Sequence, residues 1–479
     1  MKKIHILFSF LFFFNFLSFV IGQELEKGTP SKYRRNSLHT MIIESERFPM
    51  KDTIITAFYN APFPDKYDEH NFGEKSFDPK PYALSKEEKK GLKKSTSGFG
   101  DLVGSMGSGA LTTFAANEGI ALDPATFDID RTLLPEEVPV IIQKYLTQNK
   151  IANKMVAKWF NRQPDGSFDM NLIFDRGLYN ASEKEASIAK KANDGTNLLK
   201  YTGIELLGNT FLVVNRFNFI KNEIPANLAR LGARILANKL SSPFNMIASK
   251  AADIAYNIAK VGYSVQATSY LYKLKWNDSI QAVFDNDLYF DKLSLNPTKK
   301  DVFDQSNLFK LEFVGSEKAS GLVMIDLKSK GRTEETIIKT ATVRTVDAVY
   351  AKLQKSYDVF MPKTALLSGD PITAKIGMKE GLIGGEKFEV FESVQNPETG
   401  AIKYVSKGKI TVDKKSIWDN RYNAGDEVVS DPNNTSVATT ETIAKDSIVN
   451  NKSKTPVIDR TTFKGGKTFY AGMLIKQIK

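Results

Sequence analysis

The sequence predicts a mixed α+β fold, in which an α/β domain with a helical hairpin insertion precedes a small C-terminal β-barrel-like domain. Three observations predict it. Amphipathic helical segments alternate with apolar strand-like segments over residues 124–361. Two Ala-rich amphipathic segments follow each other near 224–262. Over residues 362–479, short strand-like runs replace the helical period.

Residues 1–22 have the organisation of a secretory signal peptide. A positive n-region, Lys2 and Lys3, precedes an apolar core over residues 6–21 and a small-residue cleavage pattern before Gln23. As a helix this core is roughly 24 Å long, short of the ~30 Å hydrocarbon thickness of a bilayer. Cleavage, and hence export to the periplasm or the outer-membrane periphery, is therefore expected.

Composition excludes several kinds of chemistry. The chain has no cysteine, which excludes disulfides, thiolate nucleophiles, cysteine metal sites and a lipid-modified cysteine. Beyond the signal sequence its only histidines are His39 and His70, in a Pro- and charge-rich stretch without helical i,i+4 partners. We expect both to be solvated loop residues rather than metal ligands or catalytic groups. No cofactor is predicted.

The formal net charge of +11 does not indicate a nucleic-acid partner. Lysines and arginines are spread along the chain and interleaved with acidic residues, whereas nucleic-acid binding needs a concentrated basic patch. Weak attraction to an anionic envelope surface fits this distribution better.

Residues 23–123 predict an extended N-terminal arm followed by a glycine-rich linker. Prolines and charges interrupt any regular period up to residue 95, and only residues 53–59 have the pattern of a strand. The glycine-rich run at 98–109 has neither the G-x-G-x-x-G spacing nor a following Gly-Lys-Ser/Thr. It is typical of a hinge rather than of a phosphate-binding loop.

From residue 124 onward the periodicity becomes α/β. A Pro-Asp-Gly turn between two strand-like runs indicates a β-hairpin, and a Ser-x-x-Glu capping box indicates a helix start. The predicted elements are a helix over 135–148, a β-hairpin over 156–174, a helix from Ser182, an apolar strand over 210–215, strands over 263–276, 281–295 and 308–327, and a long helix over 333–360.

The insertion near 224–262 predicts two amphipathic helices. In the first, Leu231 and Leu236 share a stripe with Leu228 and Ile235. In the second, apolar residues recur at near-heptad spacing, at Ile247, Ala251, Ile254, Ile258 and Val261. The simplest interpretation is a helical hairpin packed on the domain. A membrane-lying or oligomer-forming hairpin is the alternative.

The C-terminal domain predicts short β-strands over 372–376, 386–392, 402–406, 409–412 and 469–478. The Pro-Glu-Thr-Gly sequence at 397–400 predicts a hairpin loop. Residues 425–456 are rich in Asn, Ser, Thr and Asp, which predicts a mobile loop.

Acidic clusters are the one source of catalytic groups that this composition leaves. The candidates are Asp128 with Asp130, Asp285 with Asp287, and Glu386 with Glu389 and Glu392. Asp285 and Asp287 lack the glycine and the bidentate Glu of a calcium loop, so solvated strand edges and turns are the simpler interpretation. Trp159, Trp276 and Trp418 offer stacking surfaces for a carbohydrate, but their strand-like contexts favour core or rim positions. No residue is predicted to be catalytic.

Several motifs resemble an uncharacterised family of exported proteins from Bacteroidota. They are Lys158-Trp-Phe-Asn-Arg, the run 166–182, Gly203-Ile-Glu-Leu-Leu-Gly, and the runs 270–278, 376–381, 417–422 and 470–475. Membership implies that Asp-Ser/Thr-aliphatic triplets are O-glycan acceptors, which assigns that role to Thr53, Ser279 and Ser447. The family carries no activity that transfers to this chain.

A second resemblance is architectural. The order strand, Gly-x-Phe strand, helix and apolar strand is similar to the α/β domain of curli-secretion-channel and flagellar-assembly-T-like envelope proteins. The C-terminal runs 385–391, 407–412 and 424–426 resemble the small β-barrel of the flagellar-assembly relatives. The helical hairpin and the loop at 425–456 depart from that pattern.

Together these observations lead us to expect an exported, non-enzymatic envelope protein that acts through protein–protein contacts in a periplasmic or outer-membrane assembly. Its expected partners are envelope proteins or a second copy of itself, with peripheral membrane association as a further option. The alternative is an envelope glycan-binding or glycan-cleaving protein that uses acidic residues and tryptophans.

Overall fold

The computed structural model describes residues 36–92 except 65, 133–180, 203–324 except 205 and 261, 333–395, 402–424 except 423, and 458–478 except 467 and 468. It confirms the mixed α+β class, because a mixed sheet flanked by helices is followed by a closed β-barrel. The glycine-rich run, the helix from Ser182, and the loops at 397–400 and 425–456 lie outside the described residues.

The first sheet has the strand order β2-β1-β4-β5-β6, with β3 also pairing with β1. Its strands are β1 (Ser37–Ile43), β2 (Asp68–Glu69), β3 (Ser76–Phe77), β4 (Thr210–Lys221), β5 (Gly262–Leu274) and β6 (Leu311–Met324). Strand β1 runs parallel to β2, β3 and β4, whereas β4, β5 and β6 are antiparallel neighbours. The strands predicted over 210–215, 263–276 and 308–327 correspond to β4, β5 and β6.

Ten described helices accompany this sheet and its insertion. They are α1 (Lys51–Tyr59), α2 (Lys86–Lys90), α3 (Val138–Gln148), α4 (Ile151–Trp159), α5 (Asn171–Asn180), α6 (Glu223–Ala237), α7 (Phe244–Ala259), α8 (Asp278–Val283), α9 (Pro297–Gln305) and α10 (Glu334–Ser356). Helices α1 and α10 cover one face of the sheet, and α3, α4, α8 and α9 cover the other. The predicted helices over 135–148 and 333–360 are confirmed as α3 and α10, and Thr333 caps α10 through the backbone N–H of Thr336.

The described part of the predicted N-terminal arm, residues 36–92, contributes strands to the sheet instead of forming an extended arm. Strand β1 lies between β2 and β4, with Leu38 and Ile42 packed on one face and Met41 and Ile43 on the other. A strand that is apolar on both faces belongs in a sheet covered on both sides. The strand predicted over 53–59 is wrong, because α1 buries Ile54, Ala57 and Phe58 at helical spacing.

Two further strand predictions are wrong for the same physical reason. The predicted β-hairpin over 156–174 falls in α4 and the start of α5, and α4 buries Met155, Val156 and Trp159 on one face. The region 281–295 contains α8 and a π-helical turn, Phe284–Leu288. The resemblance to curli-secretion-channel and flagellar-assembly-T-like proteins depends on the order strand, Gly-x-Phe strand, helix and apolar strand. The elements of this region do not follow that order.

The C-terminal strands close into a six-stranded barrel of order β10-β11-β8-β7-β12-β9. They are β7 (Thr364–Gly369), β8 (Ile372–Ala374), β9 (Lys387–Gln395), β10 (Ile402–Val412), β11 (Thr461–Lys464) and β12 (Leu474–Ile478). The strands predicted separately over 402–406 and 409–412 form one strand, with an irregularity between Ser406 and Gly408. The last strand begins at Leu474 rather than at 469. Alternate side chains of β8, β9 and β10 fill the barrel, together with Leu366, Phe463 and Ile475.

The barrel depends on a close backbone approach at Gly369, the last residue of β7. A Cβ at this position would collide with the carbonyl oxygen of Phe469, which is backbone and cannot rotate away. We expect Gly369→Ala to lower the free energy of unfolding by at least the ~1–3 kcal/mol of ordinary overpacking. The control is Gly466→Ala, whose added Cβ has its nearest atom, a ring carbon of Phe469, at 4.0 Å. Urea denaturation measures both variants, and equal stability of the two would contradict the barrel closure described here.

Candidate docking hairpin and domain junction

The helical hairpin, residues 222–260, is inserted where β4 and β5 would otherwise be joined by a turn. These strands pair from Phe211 opposite Lys273 to Lys221 opposite Tyr263, and α6 begins two residues after β4 ends. At 1.5 Å per residue, helices of 15 and 16 residues extend about 22 and 24 Å. The two helices pack mainly on each other, and α6 also contacts the end of β4.

The buried residues described in the two helices are small. Among the side chains described in α6 and α7, the buried ones belong to Ala226, Ala237 and Ala252, and Gly232 is also buried. The large apolar side chains that the structure describes here are exposed instead, with exposed fractions of 42–65%: Leu231, Leu236, Leu240, Phe244, Met246, Ile247 and Ile254. The predicted hairpin is confirmed, and the described large residues of its apolar stripe, Leu231, Leu236, Ile247 and Ile254, are exposed rather than packed on the domain.

Charged groups hold the middle of the hairpin together. Asp253 on α7 accepts a hydrogen bond of 2.6 Å from Arg234 and lies 3.8 Å from the Nε of Arg230, both on α6. The guanidinium of Arg230 lies 4.3 Å from the ring centre of Tyr256. These contacts join the helices by polar groups, without the exposed apolar side chains described above.

The end of the hairpin has a different character. The hairpin tip, defined here as residues 236–250, contains five of the seven exposed apolar side chains. It also contains Lys239 and Lys250 and no acidic residue. Apolar area beside positive charge makes this tip the clearest candidate contact surface among the described residues.

A second candidate region is the junction between the α/β domain and the barrel. Glu380, in a 3₁₀ turn after β8, forms an ion pair with Lys66, and both side chains are largely buried. Its Oε2 atom accepts hydrogen bonds from the backbone N–H of Gly377 at 2.6 Å and from the Nδ2 of Asn420 at 2.9 Å. Burial alone would raise the pKa of Glu380, but the charge of Lys66 and these hydrogen bonds hold it below its usual value.

Helix α10 contributes to the same junction. The Nζ of Lys379 lies 3.7 Å from Asp347 on α10, and the Nε of Arg344 donates to the carbonyl of Tyr422 at 2.7 Å. Burial raises the pKa of Asp347 to about 6, and Lys379 opposes that shift only in part. At the junction, Lys66 and two hydrogen bonds therefore favour the charged form of Glu380, whereas burial favours the neutral form of Asp347.

The ion pair between Lys66 and Glu380 should be essential for stability. In Lys66→Met the carboxylate of Glu380 stays buried without its cation, which costs about 3–5 kcal/mol for pairs of this kind. The control is Lys80→Met, which removes the partner of Glu46 from an exposed ion pair, and we expect no measurable loss there. Urea denaturation at pH 7 compares the two; similar midpoints would show that the junction charge is not structural.

Both histidines are buried, so the expectation of solvated loop residues is wrong. His39 is 1% exposed and His70 is fully buried. The Nε2 of His39 lies 2.6 Å from the carbonyl oxygen of Glu74, and its ring lies 3.9 Å from that of Phe72. Strand β1 carries His39 into the sheet, which the Pro-rich composition of the segment did not reveal.

His70 belongs to a buried polar network with a defined tautomer. Its Nε2 lies 2.8 Å from the carbonyl oxygen of Met155, which only accepts, so Nε2 carries the hydrogen. Its Nδ1 accepts from Arg176 at 3.2 Å. The same guanidinium donates to Ser37 at 2.7 Å and lies 4.4 Å from the ring centre of Trp159. The network ties β1 to α4 and α5 and is structural in character.

Burial, with a contribution from Arg176, holds the pKa of His70 well below its usual value. Burial likewise lowers the pKa of His39 to about 4. In the unfolded chain both histidines take up protons near pH 6.5, so the folded state loses stability as the pH falls below that value. Each contributes a slope of up to ~1.4 kcal/mol per pH unit, until the folded form is itself protonated.

His70→Gln tests this acid sensitivity. The amide retains one donor and one acceptor but does not titrate, so one of the two histidine contributions disappears. Between pH 6.5 and pH 5 we expect the variant to lose about 2 kcal/mol less than the wild type. The measurement is the free energy of unfolding in urea at each pH. The raised pKa of Asp347 makes the opposite contribution to the pH dependence, but it does so equally in both proteins and drops out of their difference. Identical slopes would refute the assignment.

The structure disperses the acidic residues proposed from the sequence. Asp285 and Asp287 are exposed on the π-helical turn, not on a strand edge. Glu386 accepts from the backbone N–H groups of Ile383 and Gly384, in front of β9. Glu389 accepts from Ser406, and Glu392 is bound by Lys407 and by the Tyr470 hydroxyl. Asp128 and Asp130 lie outside the described residues.

The three tryptophans are in three separate settings. Trp159 is fully buried, and its Nε1 donates to Thr210 at 2.9 Å. Trp276, just after β5, stacks on Phe309 with ring centres 6.1 Å apart. Trp418 is half-buried beside the barrel, where its backbone N–H donates to Thr461 at 3.0 Å. Of these rings, Trp159 is enclosed and Trp276 is covered on one face by Phe309.

The proposed O-glycan acceptors differ in accessibility. Thr53 is half-buried within α1, and Ser279 is exposed in the first turn of α8. Ser447 lies outside the described residues. The role of all three stays a prediction.

A cavity of about 420 Å³ lies between α3, α4 and the start of β6. Its lining includes Lys150, Asn153, Phe309 and Lys310. The Nζ of Lys150 already donates to the carbonyl oxygens of Gln305 and Ser306, at 3.2 Å each, so its charge is used to join α3 and α4 to the end of α9.

Within the described ranges, no three histidine or acidic side chains are grouped as metal ligands. No helix there has both the length and the apolarity of a membrane span. Comparison with known protein families finds no matching family, and comparison with curated proteins finds no match.

Proposed function

We propose that this chain is an exported, non-enzymatic protein of the cell envelope that acts through protein–protein contacts in a periplasmic or outer-membrane assembly. The observation that carries the proposal is the helical hairpin, held beyond the end of the sheet with seven large apolar side chains exposed. Contiguous apolar surface on a folded protein usually marks a contact site. In this proposal the hairpin attaches the protein to the envelope, and the α/β domain and the barrel contact partner proteins.

The buried polar groups support a binding role rather than catalysis. Arg176 and His70 bind each other and the backbone of β2 and α4, and Glu380 is bound by Lys66 and Asn420. Burial lowers the pKa of His70 and of Arg176, and Lys66 with its hydrogen-bonding neighbours lowers the pKa of Glu380; the partners of all three are structural elements. The buried charged groups thus hold strands, helices and the barrel together, whereas the exposed surface that stands out chemically, on the hairpin, is apolar.

Export is supported by the signal-peptide pattern of residues 1–22, which is independent of the hairpin. An exported protein without cysteine chemistry, in which a projecting hairpin offers the clearest contact surface, is suited to holding components together.

Cell fractionation combined with in-cell crosslinking tests this proposal on the full chain. We expect the protein in the envelope fraction, in a crosslinked complex of fixed size with a second protein. The matched variant replaces residues 223–261 by an Asn-Gly turn, which β4 and β5 can accept because the register that pairs Lys221 with Tyr263 then places Asn222 opposite Gly262. We expect it to fold, as shown by circular dichroism, and to lose the complex. A wild-type protein that stays cytoplasmic, or is exported but uncrosslinked, would overturn the proposal.

A further inference from the structure

Among the described side chains of the hairpin, the small ones are buried and the large apolar ones face outward. An amphipathic helix pair in water instead buries its large apolar residues between the helices. Here Ala226, Gly232, Ala237 and Ala252 are buried, while Leu236, Phe244 and Ile247 are among those exposed.

The most exposed apolar residues are concentrated at the hairpin tip. Phe244, Met246 and Ile247 have exposed fractions of 62%, 65% and 63%, and Leu236 and Leu240 of 55% and 48%. These five side chains lie at the junction of the two helices, where the hairpin is farthest from β4 and β5. A blunt apolar end of this kind can enter a surface without moving the rest of the fold.

Charge favours an anionic surface as the occupant. The hairpin tip contains Lys239 and Lys250 and no acidic residue, and residues 222–260 as a whole carry five basic and two acidic side chains. Asp253 lies about one helical turn from Lys250, but it is paired with Arg230 and Arg234 of α6. Lysine stems reach from apolar contacts towards lipid phosphates, as is common for residues at a membrane interface.

A second copy of the chain fits the tip less well. The roughly 400–500 Å² of apolar area on these five side chains is about the apolar share of a standard interface of ~800 Å² per partner, so area does not distinguish the two occupants. Charge does, because a two-fold contact between tips uses the same patch on both copies and would bring lysines of one copy near lysines of the other.

We propose that the hairpin tip binds an anionic phospholipid bilayer, with its apolar side chains at the boundary between headgroups and acyl chains. Helices of about 22 and 24 Å are shorter than the ~30 Å hydrocarbon core, so the tip enters the near leaflet and the domain stays outside it. This inference rests on the proposed function in one respect, that an exported protein meets such a surface.

Vesicle flotation of the purified chain without residues 1–22 tests the inference. The probes are phosphatidylcholine vesicles with and without 30% phosphatidylglycerol, at low and high salt. We expect binding to the anionic vesicles that weakens with salt, at least tenfold weaker binding for Phe244→Ser/Met246→Ser/Ile247→Ser, and loss of the anionic preference for Lys239→Glu/Lys250→Glu. The control is Leu293→Ser/Leu295→Ser/Ile383→Ser, which removes exposed apolar side chains away from the hairpin and should bind like wild type.

Three outcomes would overturn the inference: no binding to anionic vesicles, equal binding by the tip variant, or a tip-dependent dimer in light scattering without lipid. Circular dichroism confirms that each variant is folded. Failure here with an intact crosslinked complex in cells would remove the lipid inference alone. Vesicle binding by a protein that forms no complex in cells would instead remove the proposed function.

Discussion

The antiparallel ladder between β4 and β5 is the interaction on which the other elements depend. Eleven residues of β4, from Phe211 to Lys221, have partners on β5, so the pair forms the centre of the sheet. Strand β1 adds to one side and β6 to the other, and each face of the pair supports one helical layer. The same ladder brings Lys221 next to Tyr263, which is the base from which the hairpin extends.

Strands buried on both faces were the elements best predicted from the sequence, along with long amphipathic helices. Thr210 to Asn215 and the 333–360 helix have a single consistent periodicity, so burial and local preference indicate the same structure. The segments 53–59 and 156–160 are short and rich in β-branched or aromatic residues, which favour strands locally. In the folded chain they are helices, because packing of Phe58 and Trp159 into the two cores outweighs that preference.

The candidate sites were predictable only in part, because they depend on contacts between residues far apart in the chain. The hairpin follows from local periodicity, and its length and position were predicted. The exposure of its described large apolar side chains depends on what the helices contact in the fold, which no local pattern encodes. The ion pair of Lys66 with Glu380 joins residues 314 positions apart, and the burial of His70 depends on Arg176, which is 106 positions away.

Separation of the core from the hairpin explains how one chain keeps both a stable body and an apolar surface. The barrel and the sheet are joined through Lys66, Glu380 and α10, all of them remote in sequence from residues 222–260. Within the hairpin, Asp253 and its two arginines join the helices without using the large apolar side chains. Changes to Phe244 or Ile247 therefore alter the contact surface and leave the folding contacts of both domains in place, so selection on the surface and on stability can act independently.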